Sequence, residues 1–168
     1  SNYFNATNVY EATGGVENGE MVVRVEAAKK GVIEGNLDGR KSKKRCVFLK
    51  LEGHEKELGL NVTNASALEK LTGSPYYADW NDLRPVLVLY VEAVTNNGKP
   101  GVRIKSAPIA KQVTDLFVKI DGARSLAELD AMKPALNQAP AKFKKALRVT
   151  LARQLALITA AAEGSGAD

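Results

Sequence analysis

Cysteine and histidine, the residues that most often serve as nucleophile, general base or soft metal ligand, occur once each, as Cys46 and His54. A catalytic thiolate–imidazole pair needs the two within hydrogen-bond reach. Cys46 falls inside an alternating strand pattern and His54 in a Gly53-His54 turn, a placement that argues against pairing. One cysteine excludes a disulfide within the chain. One Cys and one His fall short of the about four ligands of a zinc site. Glu69, Asp79 and Asp82 are the carboxylates that could surround a divalent ion, but no motif spaces them for it. The sequence therefore predicts no catalytic residue, no metal and no cofactor.

The remaining chemistry is charge. The net charge is +5 and the pI about 9.3, a balance that favours polyanions. Lys29 to Lys50 holds eight Lys and Arg against Glu34 and Asp38. Glu52 to Asp82 is acidic, with only Lys56 and Lys70 opposing six carboxylates. Within the basic segment Arg40, Lys41, Lys43, Lys44 and Arg45 form a near-continuous run, and Lys99, Arg103 and Lys105 form a second, distant group. Phe48 stands on a strand face flanked by Lys44 and Lys50. Two readings of it stay open: a small second core under the N-terminal arm or the C-terminal helices, or a platform on which a nucleic-acid base stacks.

Residues 1–19 are rich in Asn and Gly and read as a loose arm with a short strand near Val9-Tyr10. Met21, Val23, Val25 and Ala27 alternate with Val22, Arg24 and Glu26, which predicts a half-buried strand continuing through Val32-Ile33. Gly35 to Gly39 breaks it. Arg45 to Leu51 is the second strand, with Val47, Leu49 and Leu51 on one face. The third carries Leu58, Leu60 and Val62 inward. Thr63 or Asn64 then caps a helix over Ala65–Leu71, ended by Gly73. Ser74 to Asp82 reads as a loop whose Trp80 packs onto the core, Val86 to Val91 as a strand covered on both faces. Asn96-Asn97-Gly98 is a hairpin turn leading to a last strand through Val102 and Ile104. The remainder is helical: Val113 to Ile120, a segment opened by the capping box Ser125-Leu126-Ala127-Glu128, and a final helix with the stripe Phe143, Leu147, Leu151, Leu155 and Ile158.

Three strands, one helix, then two strands is the element order of a five-stranded OB-like barrel. The expected fold is mainly β with an α appendage: an arm at 1–19, the barrel at 20–109, a C-terminal helical hairpin at 110–163 and a tail at 164–168. Residues 58–104 also resemble a family of uncharacterised phage and prophage proteins. The likeness rests on Leu58, Leu60, Asn61, Thr63, Asn64, Ala65 and Leu68, then Asp79-Trp80, Leu89-Tyr90 and Gly98 to Ile104. It covers about a third of the chain. The family carries a Gly-Lys pair after its Asp-Trp, where this chain has Asn81-Asp82-Leu83-Arg84, and that departure tells against a positive site at the turn. The resemblance implies an OB-like fold and carries no activity over.

In such a barrel a single strand of nucleic acid binds across strands two and three, between the loop joining strands one and two and the loop joining strands four and five. That places Arg40, Lys41, Lys43, Lys44, Arg45, Phe48, Lys99, Arg103 and Lys105 at one interface. The expected function is a non-catalytic, single-stranded nucleic-acid-binding accessory protein of phage replication or recombination. The alternative is a protein-interaction module, or a homo-oligomer formed through the C-terminal helices. No apolar run reaches the ~20 residues needed to cross a membrane, and no secretory leader is evident, which predicts a cytoplasmic protein.

Overall fold

The computed structural model describes residues 2–16 and 18–165. The chain divides into two compact units, Ser1–Pro108 and Ile109–Asp168. The first contains α1 (Ala6–Thr13), β1 (Met21–Leu37), β2 (Arg40–Leu51), β3 (Glu57–Gly59), α2 (Val62–Thr72), α3 (Tyr77–Leu83), β4 (Val86–Glu92) and β5 (Gly101–Ile104). Its strands form one antiparallel sheet in the order β3-β2-β1-β4-β5.

β1 is the shared strand. Met21 to Arg24 pair with β4, and Val25 to Leu37 pair with β2, with a register shift between Val25 and Ala27. Alternation then sorts the faces: Val23, Val25, Leu49, Leu51, Leu58, Leu87, Leu89, Val102 and Ile104 all enter one core with Leu68 and Trp80. The expected inward faces of the second and fifth strands are those observed, and Val86 to Leu89 of β4 are buried on both faces as expected. On β1 Met21, Val23 and Val25 point inward, but the register shift after Val25 turns Ala28 rather than the expected Ala27 into the core. Arg24, expected on the outer face, is buried.

The sheet is open, and no pairing joins β3 to β5 among the described residues. Two local choices keep it so. β3 is only three residues long, because the chain turns into α2 at Asn61, whose Oδ1 accepts from the Asn64 N–H at 2.8 Å. Val62, expected inward on a strand, is instead the first helical residue and 81% exposed. The outer edge of β5 is taken by a side chain: buried Asn64 donates Nδ2 to the Val102 carbonyl and accepts from the Ile104 N–H, both at 3.0 Å. Asn64 is thus a bridge between helix and strand rather than the cap that its position suggested.

Two further expectations are corrected. The arm is not a loose segment with a strand at Val9-Tyr10. Asn5 Oδ1 accepts from the Thr7 N–H, Asn8 Oδ1 accepts from the Asn5 N–H, and this reciprocal cap starts α1, which buries Val9. Residues 1 and 17 of that arm lie outside the described residues. The Ser74–Asp82 segment is partly helical, as α3, although Tyr76 supplies no side-chain cap. Trp80 packs into the core as expected, its Nε1 donating to the Ser74 carbonyl at 2.8 Å.

The second unit has three helices rather than a hairpin: α4 (Lys111–Gly122), α5 (Leu126–Gln138) and α6 (Ala141–Ser165). Val113, Phe117, Ile120, Leu129 and Leu147 are buried. Ser125 Oγ accepts from the Glu128 N–H, but Glu128 reaches back to the N–H of Arg124 rather than that of Ser125. At about 1.5 Å per residue, the 25-residue α6 is roughly twice as long as the 12-residue α4 or the 13-residue α5. The apolar stripe is accordingly buried only in part. Leu147 is covered and Leu155 is 44% exposed, while Thr150 and Gln154 are buried, Gln154 donating to the Ala123 carbonyl at 2.8 Å. The tail expected at 164–168 is helical to Ser165, and residues 166–168 lie outside the described residues. Among the described residues no helix is long and apolar enough to cross a membrane.

Candidate nucleic-acid interface

The basic run Arg40–Arg45 is strand, not loop. The turn contracts to Asp38-Gly39, with φ of 51° and 76°, the pair of left-handed residues that a two-residue type I′ hairpin demands. β1 and β2 therefore run on together through six cross-strand pairs, from Val32↔Arg45 to Leu37↔Arg40. β3 pairs with β2 only from Phe48 to Lys50, and β4 pairs with β1 only from Met21 to Arg24. The end of the hairpin is thus a two-stranded ribbon, about 20 Å long at ~3.3 Å per residue. Among the described residues neither edge carries a third strand.

Strand alternation divides its cations. Lys41, Lys43 and Arg45 share one face with Val32 and Glu34, and Arg40 and Lys44 share the other with Ile33. All five cations are exposed, and among the described residues none is ion-paired. The neighbouring cations differ. Lys29 pairs with Glu57 at 2.7 Å, Lys50 with Glu26 at 3.3 Å, and Lys30 lies over the Tyr77 ring.

The second basic group is brought near the first only in part. Between the open edges of β3 and β5 lies a cleft of about 480 Å³, and Lys44 and Arg103 both line it, with Asn61, Asn96 and Asn97. Arg103 Nε is held by Glu92 Oε2 at 2.6 Å, and Lys105 pairs with Glu20. Lys99 follows the Asn96–Gly98 turn and is exposed, with no ion pair among the described residues. Lys105 lines a separate groove of about 590 Å³ along α2, with Lys70, Tyr90 and Arg103.

Phe48 is not a solvent-facing platform. It is 5% exposed. Tyr3 stacks on it with ring centroids 5.5 Å apart and planes inclined by 21°. Beneath the ring is Gly31, where a Cβ would approach the ring carbons to 2.5 Å. A Gly31→Ala chain should be about 2 kcal/mol less stable, the ordinary penalty for overpacking, read as a lowered urea midpoint. An unchanged midpoint would mean that the ring moves aside freely. The Tyr3 ring, 39% exposed, is the aromatic that the sequence reading missed. No local signal marks it, because its partner is 45 positions away and the link is made by a bridge from Tyr3 to Glu57 and by the Phe4 N–H donating to the Glu57 carbonyl at 2.8 Å.

The other chemical candidates are committed to structure. Cys46 Sγ donates to the Leu60 carbonyl at 3.2 Å. The strand from Cys46 to Leu51, about 16 Å of extended chain, separates it from the turn holding His54, which meets Phe4 edge-on. Asp79 accepts from Ser74 Oγ at 2.5 Å. Arg84, at the turn that departs from the phage pattern, faces inward: its Nη2 meets Glu52 Oε2 at 2.5 Å, and its carbonyl accepts from Arg24 Nε at 2.9 Å. Among the described residues no cluster of His, Cys, Asp and Glu could hold a metal ion.

No protein-family model, curated protein or solved structure matches this chain.

Proposed function

We propose that this is a non-catalytic nucleic-acid-binding protein that engages single strands through the β1–β2 ribbon. The observation that carries the reading is five exposed cations, none ion-paired among the described residues, on a ribbon that no other described strand joins. Solvated charge alone needs no twenty-ångström support. The strand order β3-β2-β1-β4-β5 supports an OB-like barrel opened between its third and fifth strands. In that frame the ribbon and the β4–β5 turn flank the cleft that holds Lys44 and Arg103. Tyr3, propped from below by Phe48, supplies a stacking face at the root of the ribbon. The role proposed for such a protein is that of an accessory in phage replication or recombination.

The test is anisotropy of a labelled oligothymidylate across a salt series. Five phosphate contacts at about 0.7 each give a log–log slope near −3.5, or roughly a hundredfold loss of affinity from 50 to 200 mM salt. Tyr3→Ala should weaken binding about tenfold, within the range of one stacked base, and Tyr3→Phe should not. Absence of binding at low salt would remove the proposal.

A second reading is favoured by the ribbon's isolation. A two-stranded β-ribbon fits the major groove of duplex DNA, and this one has both edges free. A duplex competitor in the same assay decides between them: a preference for duplex, with no effect of Tyr3→Ala, transfers the function to groove insertion.

A further inference from the structure

The second unit carries its own junction of positive charge and apolar surface. Between α5 and α6 lies a cavity of about 240 Å³ with Leu136, Leu147 and Leu151 in its lining. Lys133 stands on the α5 side, and Lys144 and Arg148 stand one helical turn apart on the α6 side. Lys133 shares its charge with Asp130 at 2.9 Å, an exposed pair, whereas Lys144 and Arg148 have no ion-pair partner among the described residues. Among the described residues no carboxylate lines the cavity, and the first acidic residue of α6 is Glu163.

The combination selects an occupant. A phosphate backbone would satisfy the cations and leave the leucines facing hydrated charge. Leu147 is already covered by the helices, and an aliphatic or aromatic side chain removes what Leu136 and Leu151 still expose from water, at about 25 cal/mol per Å² of apolar surface buried. The volume suits one such side chain rather than a drug-sized ligand. Cations on both rims of an apolar floor match a segment whose apolar anchor is flanked by carboxylates.

We propose that the α5–α6 groove binds an acidic peptide segment of a partner protein, one apolar side chain entering over Leu136, Leu147 and Leu151 and its flanking carboxylates meeting Lys133, Lys144 and Arg148. The site is independent of the ribbon and does not rest on nucleic-acid binding.

The experiment uses the full chain and a fluorescein-labelled peptide of aspartates around one central phenylalanine, with a control peptide in which serine replaces the phenylalanine. Micromolar binding is expected, about tenfold weaker for the serine peptide and about tenfold weaker again for Lys144→Gln/Arg148→Gln. Both replaced side chains reach the surface, and an unchanged circular-dichroism spectrum of the variant confirms its fold. A Lys41→Glu/Lys43→Glu/Arg45→Glu chain should bind the peptide as before. The proposal is overturned by no binding, by equal binding of the two peptides, or by displacement of the peptide with oligothymidylate, which would make the groove a general polyanion surface.

Discussion

An Asn64→Ala chain is expected to lose about 3 kcal/mol of stability in its first unit. Asn64 is 2% exposed and makes two hydrogen bonds to the backbone of β5, donating to Val102 and accepting from Ile104. Alanine removes both and leaves a carbonyl and an N–H at the sheet edge without their partner. The larger part of the loss comes from those stranded groups rather than from the bonds themselves. Trp80 is the only tryptophan in the chain and lies in this unit's core, so urea unfolding followed by its fluorescence reports on the first unit directly. A midpoint shift worth less than about 1 kcal/mol would mean that water takes over the edge of β5, and the account of why the sheet stays open would then be wrong.

Charge reversal on one face of the ribbon should abolish binding to a single strand. In Lys41→Glu/Lys43→Glu/Arg45→Glu three of the five free cations become anions. Loss of three phosphate contacts alone lowers the slope of affinity against salt by about 2, and three new repulsions act in the same direction. At low salt the affinity should fall at least about a hundredfold, with the Trp80 unfolding curve unchanged, because these side chains are exposed. A variant that binds as tightly as the parent, with the same slope, would return the ribbon charges to the role of solvation. Phe48→Ala is a poor probe of the same idea. Truncating a buried phenylalanine destabilises by about 3–5 kcal/mol, and any lost binding would report an unfolded protein.

What the sequence announced was short in range. Met21, Val23 and Val25 needed only alternation, Asn96-Asn97-Gly98 only turn chemistry, and Ser125 with Glu128 only a spacing of three. The features it hid are those made by distant partners or by the absence of burial. Asn64 reads as a cap until β5, 38 to 40 positions on, claims its amide. The ribbon shows no period of two because most of its side chains face water on both sides, so the basic run resembled a loop. α1 has eight residues and is started by asparagines, the same residues that make a segment look irregular. The environments of the nine residues of the expected interface divide them: among the described residues, six cations with no ion pair, two ion-paired ones and a buried ring.

The free edges of the ribbon have a consequence for the protein's solubility. A pair of strands with unpaired N–H and C=O groups along both sides is a template for pairing with another chain, and natural proteins guard such edges with lysine. Lys41, Lys43 and Lys44 sit where that guard is needed, beside Val32, which is 49% exposed. Their charge keeps two ribbons from zipping together in a concentrated solution. Neutral or β-branched replacements would remove the repulsion and leave a flat, adhesive hairpin, whereas glutamate preserves repulsion between copies. The chain is therefore free to change what it binds by changing the sign of the ribbon, but not to discharge it without risking aggregation.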